Sequence, residues 1–101
     1  ENLMATMHNK MINPRPPRMS DHVIGSVSYS TFIKRLGVAI KTHREQSGIT
    51  QRELGSDINK TVTHISAVEN GRRGLSLHSL FLIAQSLNIN LSQLIKESLK
   101  Q

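Results

Sequence analysis

The sequence contains no cysteine and no tryptophan. The absence of thiols excludes disulfides, thiolate metal sites and cysteine nucleophiles, and it fits a reducing compartment. One tyrosine and two phenylalanines are the only aromatic residues, and 37% of the chain is hydrophobic. A core must therefore be built from Ile, Leu, Val and Ala, which suits a compact helical bundle. No apolar run approaches the length of a membrane span. The N-terminus lacks the apolar stretch and cleavage site of a secretory signal. Acidic residues are scarce: seven Asp and Glu stand against thirteen Lys and Arg, for a net charge of +6 over 101 residues. That length suits one small domain. A basic domain of this size points to a polyanion, with nucleic acid the first candidate and a merely solvated basic surface the alternative.

Signs of catalysis are also missing. The histidines His8, His22, His43, His64 and His78 are scattered, and none pairs with another at metal-ligand spacing. Serines are plentiful, yet no glycine-flanked nucleophile elbow or phosphate-binding loop occurs. The expectation is a protein that is not an enzyme, with no cofactor and no metal.

The chain divides near residue 29. Every methionine (Met4, Met7, Met11, Met19) and every proline (Pro14, Pro16, Pro17) precedes residue 20. The stretch Asn13-Pro14-Arg15-Pro16-Pro17-Arg18 cannot be helical, because proline removes donors and constrains its predecessor. Residues 1–28 read as a flexible N-terminal tail. Glu1 is not an initiator residue, which leaves room for a vector-derived stretch within that tail. The functional alternative is an arm that orders on a partner or on DNA.

Residues 29–101 carry dense helix signals. A first helix is expected from about Ser30 to Gln46, with Ile33, Leu36 and Ile40 at helical spacing, widened by Phe32 and Ala39, and Gly48 as its stop. A second opens on the capping box Thr50-Gln51-Arg52-Glu53, with Ile49 and Leu54 as the hydrophobic staple, and ends near Ile58. Asn59-Lys60 makes a tight turn, since Asn tolerates the left-handed conformation. A third runs from about Thr61 to Asn70, with Ile65 and Val68 facing the core. A fourth starts at Ser76, with Leu77, Leu80, Ile83, Ala84 and Leu87 as its buried stripe. A fifth starts at Asn90, with Gln93 at the box position and Leu91, Leu94, Ile95 and Leu99 apolar. Short connections imply sequential packing in one globule. The expected fold is all-α, with five helices.

Two helices of about eight or nine residues joined by a short turn, as at Gln51–Asn70, form the pattern of a DNA-binding helix-turn-helix. Gly55 sits where the second helix must pass close to the third. Any helical hairpin can show such apolar spacing. The combination of motifs is more specific: Leu36-Gly37 with Ile40-Lys41 and Arg44; Gly48-Ile49-Thr50-Gln51; Glu53-Leu54-Gly55; Ile65-Ser66; Val68-Glu69-Asn70-Gly71; and Ser76-Leu77-His78-Ser79-Leu80. In these motifs residues 36–99 resemble the Cro/C1-type repressor family, also called Xre. The run His64-Ile65-Ser66-Ala67-Val68-Glu69 resembles the restriction–modification controller branch.

The resemblance implies a repressor-like domain whose third helix enters the major groove of double-stranded DNA. Thr61, Val62, Thr63, Ser66 and Ala67 would read bases there. Gln51, Arg52, Lys60, Arg72 and Arg73 would hold phosphates, assisted by the amides at the start of the second helix. Arg44 and Glu69 would form a structural ion pair. His64 could flank the groove or serve packing. The sequence departs from the family pattern at Asn59, where a turn glycine is usual, and at Lys60, where an apolar residue is usual. The base-reading set also lacks Arg and Gln, the residues best suited to guanine and adenine edges. Weak direct readout biased toward thymine contacts is therefore expected, supplemented by phosphate contacts and DNA shape.

Such readout needs a homodimer, which places two recognition helices roughly 34 Å apart, about one DNA turn. Leu91, Ile95 and Leu99 are the expected dimer surface; completion of the core is the alternative use of these residues. The functional expectation is a transcriptional regulator, repressor or controller, acting on a two-fold operator on the nucleoid in the cytoplasm of a bacterium or as a phage-encoded protein. The rival is an antitoxin-like interaction module that holds a protein partner through the N-terminal tail.

Overall fold

The computed structural model describes residues 23–24 and 27–100. The proline- and methionine-rich stretch read as a tail lies outside the described residues, except at its end. There Val23–Ile24 (β1) pairs antiparallel with Val27–Ser28 (β2), in the register Val23 with Ser28 and Ile24 with Val27. Val27 is buried. The described structure thus begins before residue 29, and β2 packs on the helix that follows.

Five α-helices follow among the described residues: α1 Tyr29–Gln46, α2 Gln51–Ile58, α3 Val62–Glu69, α4 Leu77–Ser86 and α5 Leu91–Leu99. Local chemistry sets their ends. The Ser28 hydroxyl accepts from the Thr31 amide, one residue earlier than the expected start at Ser30 allowed. At α2 both halves of the capping box are made: the Thr50 hydroxyl accepts from the Glu53 amide at 3.0 Å, and the Glu53 carboxylate accepts from the Thr50 amide at 2.9 Å. Asn59 closes α2 in the left-handed region, with φ 59° and ψ 47°. Thr61 and Ser76 cap α3 and α4 through the amides of His64 and Ser79. The fifth helix departs from expectation. Asn90 makes no side-chain cap, and Gln93 donates instead to Glu97 one turn on.

Helix α1 lies along α5 and crosses α3, while α2 packs on α3 and α4. Ile40, Leu54, Ile65, Ile83 and Leu94 form the fully buried centre. The crossing of α1 over α3 depends on Gly37. A Cβ there would sit 2.3 Å from the Val68 carbonyl oxygen, so any side chain would force the helices apart. At Gly55 the tight neighbour is the turn, with the Lys60 carbonyl oxygen 2.6 Å from an added Cβ; the third helix is represented there by Ile65, farther off at 3.5 Å.

One core expectation is corrected. Leu77 is 75% exposed and not part of the α4 stripe. It is the first residue of its helix, at the edge of the apolar arc, with no preceding turn to pack beside it. On α5, Ser98 is fully buried. Its hydroxyl donates to the Leu94 carbonyl at 2.7 Å, which satisfies the group within its own helix and lets it fill core space. Leu91, Ile95 and Leu99 remain half-buried.

Candidate nucleic-acid interface

Helix α3 presents two opposed faces. Ile65, Val68 and Glu69 point inward and are buried. Thr63, Ser66, Ala67 and Asn70 recur at i, i+3, i+4 and i+7, so they share the opposite stripe. Thr63 and Asn70 are exposed, and Ser66 and Ala67 half-buried. Thr61 is exposed at the N-cap, and Val62 lies half-buried at the flank. All five residues expected to read bases therefore lie on or beside the outward stripe of a short helix. Asn70 was not among them. Its signal was the i+7 spacing from Thr63, obscured because it also terminates the helix. Its side-chain amide faces the Ser66 hydroxyl at 3.4 Å.

The inward side of α3 is tied down by charge. Arg44 of α1 donates through Nε to Glu69 Oε2 at 2.6 Å and through Nη2 to Oε1 at 3.1 Å. Its Nη1 donates to the Ile49 carbonyl at 2.7 Å. Both side chains are buried, at 9% and 1% exposure. The Glu69 bond holds the Arg44 pKa above its ordinary value, against the opposing effect of burial. Gln51, the first residue of α2, donates from Nε2 to Glu69 Oε1 at 2.9 Å. One carboxylate thus joins three helices. It occupies one of the two amide hydrogens of Gln51 and leaves the other available.

Around this scaffold lie the cations. Arg52 is exposed in the first turn of α2, where the amides of Gln51 and Arg52 have no intrahelical acceptor. Lys60 is exposed in the turn, and Arg72 and Arg73 are exposed in the loop after α3. None of these four takes part in an ion pair among the described residues. His64 records their placement. Its pKa is lowered first by burial and then by the positive charges of Arg73 and Lys60, so both cations lie near His64. His64 Nε2 is buried with no hydrogen-bond partner among the described residues.

Away from this face, α5 is fastened to α1 by His43 and Glu97, with Nε2 and Oε1 3.0 Å apart. That bond, followed by the one from Gln93, lowers the Glu97 pKa. Among the described residues no group of three or more His, Asp or Glu could hold a metal ion. No helix there is long and apolar enough to cross a membrane.

A family model described as "Helix-turn-helix" matches residues 40–94, which span all of α2, α3 and α4. The chain belongs to the Cro/C1-type helix-turn-helix family. Its members are DNA-binding transcription regulators and not an enzyme class. The chain is 33% identical over 61 residues to the control protein C.MunI of Mycoplasma sp., covering 60% of this chain and 82% of that protein. Among solved structures it is similar to the clp gene regulator ClgR from Corynebacterium glutamicum (TM-score 0.65, 25% identity, 66% of this chain and 71% of that one). It is also similar to the restriction-modification controller C.AhdI from Aeromonas hydrophila (TM-score 0.59, 26% identity, 65% and 98%). The wild-type controller C.Esp1396I gives a TM-score of 0.59 at 34% identity, over 69% and 95% of the two chains.

Proposed function

We propose that this member of the Cro/C1-type family is a transcriptional regulator that binds a two-fold operator as a homodimer, in the manner of a repressor or a restriction–modification controller. The observation that carries the reading is the exposed stripe of α3 beside cations that no carboxylate neutralises. In this reading α3 enters the major groove. Thr61, Thr63 and Ser66 make single hydrogen bonds to base edges, while Val62, Thr63 and Ala67 touch thymine methyl groups. Gln51, with its free amide hydrogen, holds a phosphate together with the α2 amides and Arg52. Lys60, Arg72 and Arg73 neutralise further phosphates along the backbone. Leu91, Ile95 and Leu99 on α5 bury their half-exposed apolar surface against a second copy, so that two such stripes meet successive major grooves. Repression needs nothing more than occupation of a promoter.

The test is selection of binding sites from random duplex DNA at two salt concentrations. A two-fold sequence with half-sites about one turn apart is the expected product. Salt-sensitive retention with no enriched sequence would reject operator recognition. No retention at all would reject DNA binding and favour a protein partner.

A further inference from the structure

A concave feature lies beside α3, outside the helix-turn-helix itself. It is a cleft of about 240 Å³ between the first turns of α1 and the loop that follows α3. Tyr29 and Lys34 line it from α1, and Gly71, Arg72, Arg73 and Gly74 from the loop. Close packing builds it. Gly71 has φ +72°, and a Cβ there would meet Lys34 Cγ at 2.8 Å and Cα at 3.0 Å. Only glycine combines that conformation with that approach. Gly74 lies under the Tyr29 hydroxyl, whose oxygen is 3.2 Å from where a Cβ would stand. The stem of Lys34 thereby lies against the loop at Gly71, and Lys34, Arg72 and Arg73 all line the cleft. No carboxylate lines the cleft, and none of the three cations has an ion-pair partner among the described residues. Three cationic residues around one cleft with no lining carboxylate favour an anionic group bearing several acceptor oxygens.

We propose that this cleft binds a phosphate group, with Lys34 as its central charge and the Tyr29 hydroxyl as a neutral donor. On DNA, the group is a backbone phosphate beyond the bases read by α3, so that α1 extends the footprint outward from each half-site. This assignment rests on the operator-binding reading for the source of the phosphate, not for the phosphate chemistry.

The experiment compares the full chain with Lys34→Met, Lys34→Arg and Tyr29→Phe. Methionine keeps the apolar stem over Gly71, so loss of charge is separated from loss of packing; circular dichroism checks the fold. Affinity is measured against salt on a duplex ending at the half-site edge and on one extended outward by about half a turn. On the longer duplex, Lys34→Met should lower the log–log salt slope by about 0.9 and weaken binding several-fold at ~0.1 M salt. Lys34→Arg should restore both. Tyr29→Phe should weaken binding two- to three-fold, on the order of one neutral hydrogen bond, with the slope unchanged because it releases no counterion. On the shorter duplex all four proteins should behave alike. In parallel, inorganic pyrophosphate is titrated while the Gly71 and Gly74 amide resonances are followed. If the full chain retains no duplex but these resonances move, and do not move in Lys34→Met, the phosphate site stands with a free phosphate compound as its ligand and the operator reading falls. If Lys34→Met keeps the full chain's slope on the longer duplex and pyrophosphate moves nothing, the cleft is not a phosphate site, whatever else binds DNA.

Discussion

Arg44 and Glu69 lie twenty-five positions apart in sequence, yet Arg44 Nε sits 2.6 Å from Glu69 Oε2, and the same carboxylate receives Gln51 at 2.9 Å. The pair ties the buried side of α3 to α1 and to the start of α2. Removing one partner leaves the other charge buried without compensation. Glu69→Gln or Arg44→Met alone should therefore destabilise the fold by roughly 3–5 kcal/mol in urea unfolding. The double variant should cost less than the sum of the single ones. Strict additivity would mean that the pair does not couple the helices.

The contact of Gly37 with the Val68 carbonyl makes a second prediction. Gly37→Ala must push α1 away from α3 and should cost about 1–3 kcal/mol through overpacking. Val38→Ala, at a site 61% exposed, should stay within about 0.5 kcal/mol. Equal melting temperatures for the two variants would contradict this packing.

Base and phosphate contacts separate by their salt response. Arg72→Gln or Arg73→Gln should weaken binding on every sequence alike and lower the salt slope by about 0.9 each. Thr63→Ala should alter the selected base pattern and leave the slope unchanged. A sequence-dependent effect of Arg73→Gln would move that residue from the backbone to a base.

The dimer surface is tested by Ile95→Lys, followed by sedimentation. The expected product is a folded monomer with weakened operator binding. A dimer that survives the change excludes α5 as the interface; an unfolded chain assigns Ile95 to the core.

The pH dependence follows from His64. Its folded pKa lies below the ordinary value of 6.5, because burial and the charges of Arg73 and Lys60 disfavour the imidazolium. Between those two values the unfolded chain binds more protons than the folded one. Stability contributed here is complete above about pH 6.5 and declines as the pH falls through that window toward the folded pKa. His64→Gln should flatten the decline in chemical-denaturation midpoints measured from pH 7.5 to 5. An unchanged profile would place the titration elsewhere.

Much of this architecture is a local matter, legible along the chain. The Thr50–Glu53 box, the left-handed Asn59 and the Ser76 cap involve neighbours a few residues apart, so spacing alone predicts them. The same holds for the Ile65/Val68 face of α3, because helical period assigns inward and outward sides. Patterning was weakest where a residue's fate depends on what lies across from it. Leu77 has core spacing, but it is 75% exposed while Leu80 one turn on is buried. Ser98 is polar, yet it is buried because its own helix satisfies its hydroxyl. Asn90 and Gln93 have box spacing, but the Gln93 backbone amide donates to the Asn90 carbonyl and not to its side chain.

Helix order, caps, the outward stripe of α3 and the basic balance thus came from short-range chemistry and composition, in which each residue interacts with its own turn. The cleft that unites Tyr29 and Lys34 with Arg72 and Arg73, and the Arg44–Glu69 pair, came from the packing of segments far apart in sequence. Both depend on close approach, of α1 to α3 at Gly37 and of Lys34 to the loop at Gly71. That approach is a relation between two surfaces, and no periodicity along one segment encodes it.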